Sequence, residues 1–161
     1  MKGKSETSFC EMPRKKRAVR GRGNRSVLYR HKGGCRWEGI EDERYKVEDG
    51  GWADVVRRVL IGTHGESTKF HVRYFEISPG GFSSLERHGH EHVVICIRGG
   101  GIVRTGRRKR NMGFLDTLYI SPDTVHQLSN PFDEPFGFLC VVNADRDRPV
   151  VLPESDDGNT G

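Results

Sequence analysis

The stretch from Gly80 to Gly101, with Pro79 before it, reads PGGFSSLERHGHEHVVICIRGGG. It sets Glu86, His88, His90 and His92 at every second position and then enters the apolar run Val93–Ile97. Successive side chains of an extended strand alternate between faces, so residues two apart share one. Four groups able to bind a metal or move a proton therefore point the same way. Three of the seven histidines of the chain fall within five residues here. Glycine and proline punctuate both ends, which reads as turn, strand, turn. The rest of the chain must bring a further ligand to this row and wall it in.

The chain has 161 residues, a length that suits one domain with additional terminal segments. Its net charge of +5 is unevenly spread. Met1–Ser26 carries nine Lys and Arg against Glu6 and Glu11, a net of +7, which leaves −2 for everything after it. The basic character belongs to that segment, whose Lys, Arg, Gly and Ser content and lack of periodicity predict a disordered tail. PRKKRAVRGRGNR is read as a solvated tail rather than a nucleic-acid contact, because no aromatic residues interleave with the charge. The final PESDDGNTG is read as an acidic tail covering 154–161. Between them, 27–153 is the expected domain.

Cys10, Cys35, Cys96 and Cys140 include no CxxC pair, which argues against a thiolate zinc site. No signal-like apolar segment opens the chain, and no run approaches the roughly 20 residues of a spanning helix. The expectation is a cytoplasmic protein with reduced thiols and no membrane partner.

Taken in order, Asp54–Ile61 and Lys69–Ile77 read as strands on their β-branched content. Ser78-Pro79-Gly80-Gly81 reads as a turn, and the ligand row continues to Arg98. Ile102–Thr105 and Phe114–Ile120 are further strands, joined by TGRRKRNMG as a polar turn with Arg107–Arg110 at a solvated tip. Ser121-Pro122-Asp123 turns the chain. His126–Asn130 and Phe136–Val142 are the last strands, and Arg146-Asp147-Arg148-Pro149 ends the domain. Many short strands, regular turns and no convincing helix predict an all-β sandwich or closed barrel.

The constellation resembles the paired motifs of the cupin family. In the first, Glu86, His88 and His92 lead to the closing Gly99. In the second, Pro122, His126 and Asn130 follow the strand Asp116–Ile120. The resemblance implies a single cupin barrel (a jelly roll) in which Glu86, His88, His92 and His126 hold one divalent metal. Glu86 stands where most cupins have their first histidine, and Leu115 and Asp123 replace glycines usually found there. Over Leu28–Pro153, the segments RYFEISPGGFSSLERHGHEH, HQL and GFLCVVNADRDRP look like a branch of small one-domain cupins. That branch includes the manganese-dependent 1-methylthio-D-xylulose-5-phosphate methylsulfurylases, which makes Mn the first expectation.

Three imidazoles and a carboxylate also suit Fe, Ni, Co or Zn, and four protein ligands on an octahedral ion leave two positions for a substrate. Strict alternation makes His90 a ligand, while the cupin register puts it in a bend, as a supporting group, an acid–base group or a merely exposed side chain. Cys140 lies on an apolar strand, either as a small buried hydrophobe or as a thiol that reacts with a substrate sulfur. Cys96 continues the row from His92 and could also face inward, although a small buried hydrophobe is the stronger reading for it than for Cys140. Tyr74 and Glu76 are candidate pocket acids or one exposed strand face. Arg73 is a candidate for a substrate phosphate.

The leading reading is a metal-dependent enzyme acting on a small carbonyl substrate of the sugar-phosphate kind. The alternatives are a metal-dependent dioxygenase or decarboxylase of a small acid, and a non-enzymatic metal-binding or sensing cupin. The two-sided apolar strand Val93–Ile97 suggests a homodimer.

Overall fold

The computed structural model describes residues 26–45 and 53–153. The basic segment before Ser26 and the acidic segment 154–161 lie outside the described residues, as do their expected tails. Eleven strands form one sheet, with no helix among the described residues. They are β1 Glu43–Tyr45, β2 Ala53–Ile61, β3 Phe70–Phe82, β4 Glu86–Arg87, β5 His92–Arg98, β6 Gly101–Thr105, β7 Arg108–Met112, β8 Thr117–Ile120, β9 His126–Ser129, β10 Phe136–Asn143 and β11 Val150–Val151. All pairings are antiparallel.

The sheet curls because β3 serves two neighbourhoods. On one side β2 follows it from Val72 to Phe82, while on the other its first part, to Ile77, pairs with β10 and its last residue, Phe82, pairs with Ser129 of β9. The Ser78–Gly81 signals, expected to reverse the chain, instead bend a continuous strand. Between Ile77 and Phe82 the register against β2 slips, and Gly80 takes φ 79°. The Gly80 N–H donates to Asn130 and Gly81 accepts from it, so the bend stays paired. Glycine supplies a bulge conformation as readily as a turn.

Two other expectations change. Only Gly106 and Arg107 form the tip of the basic hairpin, and Arg108–Met112 is a strand paired with β6. Backbone ladders do not need apolar side chains, and an edge strand of exposed charges resists pairing with other chains. The chain also continues in register past Arg146–Pro149, since β11 pairs with β4.

The interior follows the inward rows. Phe75 and Phe138 stack at 5.6 Å, and Phe136 lies 5.0 Å from Phe138. A Cβ at Gly101 would collide with the Phe136 ring, so that strand start needs glycine. Val94, Leu128 and Ile77 complete this apolar centre. Tyr74 and Glu76 belong to the opposite face. Tyr74 is fully buried against Trp37 and donates to Glu76 at 2.6 Å, and Glu76 accepts from Arg98. They are a covered outer face, neither pocket acids nor an exposed one. Leu115 and Asp123, standing at the expected glycines, take left-handed backbone at φ 68° and 59°.

Candidate metal centre

Burial alternates strictly from Glu86 to His92, yet the row is not one straight strand. β4 ends at Arg87, the chain bends through Gly89 and His90, and β5 begins at His92. His126 arrives from β9, where its Cα pairs with that of Glu86. The ligand atoms of His88, His92 and His126 lie within 4.8 Å of one another, and all three side chains are buried. Their ring centroids are 4.9 Å apart pairwise, at steep angles.

Each ring is held by its Nδ1. His88 Nδ1 lies 2.7 Å from the His90 carbonyl, His126 Nδ1 2.8 Å from the Thr124 carbonyl, and His92 Nδ1 3.3 Å from Cys140 Sγ. A carbonyl only accepts, so Nδ1 of His88 and His126 carries the proton and Nε2 keeps its lone pair. Nε2 of His92 and of His126 is buried with no hydrogen-bond partner among the described residues. Ser84 Oγ donates to Glu86 Oε2 at 2.6 Å, while Oε1 faces His126 Nε2 at 3.9 Å. Buried imidazole lone pairs that converge beside a carboxylate fit a divalent cation. Glu86, His88, His92 and His126 would hold it.

Electrostatics agree. Desolvation, then the charges His126, His90 and His92 would carry, push His88 down to about 3. Desolvation and the Arg73 guanidinium hold His92 at about 3. Burial, reinforced by His92, also lowers His126. The rings are thus neutral and ready to coordinate near pH 7.

His90 is buried, and its ring lies flat on that of His88, 3.7 Å between centroids and 5° between planes. Its Nδ1 contacts Asp147 Oδ1 at 2.7 Å, and its Nε2 has no hydrogen-bond partner among the described residues. Desolvation lowers its pKa against the pull of Asp147. Desolvation would raise the Asp147 carboxyl, but the Gly89 N–H and His90 bring it down to about 2. Cys140 is fully buried at the boundary with the apolar centre. Arg73 Nη2 donates to its sulfur at 3.1 Å, so the expected phosphate-binding arginine is aimed at the thiol. Cys96 lies in the apolar centre, with its Sγ near the Arg98 and Gly99 carbonyls.

The sequence reading missed Asp147, Ser84 and the Arg73–Cys140 contact. Only the inward alternation of Arg73 and Cys140 on neighbouring strands hinted at the last. His31 packs on Trp37, His64 contacts the Val59 carbonyl, and His71 lies beside Arg146, so none of these three belongs to the cluster.

A curled antiparallel sheet around a histidine cluster narrows the choice of family, and comparison decides it. Residues 73–142 match the Cupin domain family. A relative from Rhodospirillum rubrum is 40% identical over 75% of this chain and 77% of its own, and is named 1-methylthio-D-xylulose 5-phosphate methylsulfurylase. The chain is a cupin.

The solved structures it resembles are small cupins too. A cupin 2 conserved barrel domain protein from Rhodopseudomonas palustris superposes with TM-score 0.72 at 35% identity, over 81% of this chain and 89% of that one. A cupin-2 domain protein from Rhodospirillum rubrum gives TM-score 0.70 at 38% identity, over 82% and 85%. Among the described residues, no helix of this cupin is long and apolar enough to cross a membrane.

Proposed function

We propose that this cupin is a metal-dependent enzyme acting on a small carbonyl substrate of the sugar-phosphate kind, with methylthioxylulose-phosphate methylsulfurylase activity as the leading case. The observation that carries it is the buried cluster of His88, His92 and His126 beside Glu86, backed by the thiol of Cys140 at His92. The relative's name supplies the reaction class. A bound divalent ion, Mn first, supplies Lewis acidity to a carbonyl oxygen. Cys140 is the reacting thiol in this proposal. Its sulfur attacks the substrate's methylthio sulfur, forming an S–S bond as the C–S bond breaks. The electron pair stays on the carbon next to the carbonyl, which takes up a proton. An external thiol, in two equivalents, then reduces the mixed disulfide and releases methanethiol. Arg73 compensates negative charge on the sulfur. His90 moves the proton, with Asp147 orienting its ring.

The small-molecule substrate and a homodimer stay part of this proposal. Phe114, Leu115 and Tyr119, exposed beside the edge strand β8, are the surface a second copy would cover, and sedimentation reads it.

The test assays Mn-loaded protein on 1-methylthio-D-xylulose 5-phosphate with excess thiol, following methanethiol. Wild type should release it, and Cys140→Ser should lose roughly 10²-fold or more in turnover while keeping its metal. His126→Ala should lose most of the metal, whereas His31→Ala should keep it. No release by wild type removes this substrate. Full turnover by Cys140→Ser removes the thiol, and its loss together with the metal assigns Cys140 to holding His92.

A further inference from the structure

The segment after β10 lies along the ligand strand. Val150 and Val151 pair with Arg87 and Glu86. The Leu152 N–H donates to the Leu85 carbonyl at 2.8 Å. Upstream, Asp147 reaches the bend between β4 and β5. Its Oδ2 accepts the Gly89 N–H at 2.7 Å, and its Oδ1 meets His90 Nδ1 at 2.7 Å. His90 then acts on His88 twice, by its ring, stacked at 3.7 Å, and by its carbonyl, 2.7 Å from His88 Nδ1.

We propose that Asp147 is a positioning residue of the metal site, which fixes the aim of His88 by gripping Gly89 and His90. The Asp147 carboxylate grips the two residues of the bend, Gly89 and His90. The bend needs such a grip. Gly89 gives it backbone freedom, and rings lying face to face at 3.7 Å are in a less favoured arrangement than offset or edge-on ones, so an anchor on the outer ring holds them there. With the carboxylate gone, a buried Nδ1 loses its partner, and His90 gains by turning toward water. Its carbonyl and ring then no longer hold His88 in one orientation. Carboxylates that orient a coordinating histidine directly typically contribute 10–100-fold in metal affinity, and this one works one residue removed. The inference rests on the metal reading of His88 and not on enzymatic turnover.

The test titrates metal-free wild type, Asp147→Ala, Asp147→Asn, His90→Ala and the Asp147→Ala/His90→Ala double variant with Mn²⁺ and with Zn²⁺ against a chelating dye. The thermal midpoint of each metal-free protein is read beside it. Asp147→Ala should bind about tenfold more weakly, with little change in the metal-free midpoint. Asp147→Asn keeps an acceptor for the Gly89 N–H but turns an amide N–H toward His90, and should fall between. The double variant should bind more weakly than His90→Ala by less than the Asp147→Ala loss in the wild-type background, because the ring contacts are shared and only the Gly89 grip is left for Asp147 to lose. Affinity of Asp147→Ala within about twofold of wild type overturns the proposal, as does full additivity with His90→Ala. An affinity loss that only follows a collapsing metal-free fold overturns it too. If wild type binds neither ion, the site reading falls and takes this proposal with it. Equal binding by wild type and Asp147→Ala removes the grip alone.

Discussion

The two halves of the barrel interior are built from the same strands and could hardly differ more. On β3 the inward row runs Ile77, Phe75, then Arg73. On β10 it runs Phe136, Phe138, then Cys140, on β5 Cys96, Val94, then His92, and on β9 Leu128, then His126. On β3 and β10 the change falls at the same level, where Arg73 pairs with Cys140, and on β5 it comes two residues further along, where His92 pairs with Val142. One half stacks aromatic rings and needs no hydrogen bonds. The other buries Arg73, Glu86 and the histidines, which is costly unless each polar atom finds a partner or an ion. Division of labour follows: the apolar half stabilises the barrel, and the polar half spends part of that stability on a site.

Substitutions on either side of the boundary should separate the two roles. Phe138→Ala removes a fully buried ring that packs on Phe75 and Phe136 and should cost about 3–5 kcal/mol in unfolding free energy. His126→Ala should cost the metal-free protein less, because it removes one hydrogen bond, from Nδ1 to the Thr124 carbonyl, together with a buried Nε2 that has no hydrogen-bond partner among the described residues. Chemical denaturation of both metal-free variants reads the contrast, and equal losses would erase the boundary.

Acid should act on the polar half, and also on His71 outside the cluster, which burial and Arg146 hold at about 4. His88 and His92 sit at about 3 in the fold against 6.5 for an ordinary histidine. Between those values the unfolded chain binds more protons than the native one, so native stability falls as pH drops from 6.5 toward 3. Above 6.5 both states are neutral and these groups contribute nothing further. Denaturation of metal-free protein at pH 7 and pH 5 should show lower stability at pH 5. Replacing His92 by Gln should flatten the slope, whereas Phe138→Ala should shift the curve without changing it.

The smallest effect lies outside the interior. Leu115 is largely exposed and holds left-handed backbone, which costs a non-glycine residue roughly 1–2 kcal/mol. Glycine's greater chain entropy offsets part of that. In the dilute monomer, Leu115→Gly should therefore stabilise the fold by about 0.5–1 kcal/mol and leave metal affinity unchanged.

What could be read from the chain tracks how local each cause is. The alternation of Glu86, His88 and His92 is a two-residue rule, and the return of His126 after Pro122 is a short-range one, so the cluster was legible. His90 was not decided, because alternation and bend both describe it. It is buried on the row, but its nitrogen turns to Asp147, a residue 57 positions away that read as the end of the domain. Ser78–Gly81 misled for a different reason. Proline and glycine mark where backbone bends, and whether the bend reverses the chain depends on partners such as Asn130. In the RKRNM strand every early side chain is exposed, so no periodicity announced it.

The pairing of β11 with β4 carries a consequence for how the protein comes into being. The ligand strand is complete only when Val150, made 63 residues after its partner Arg87, folds back on it. At about 5–20 residues per second, several seconds of synthesis separate His90 from Asp147. Phe136 and Phe138, which the aromatic stack needs, are made in that same interval, only shortly before Asp147, so the stack and the anchor of the Gly89 bend become available close together. Metal capture in its final form is thus expected as one of the last steps of biogenesis, and the order of events is written into the order of the strands.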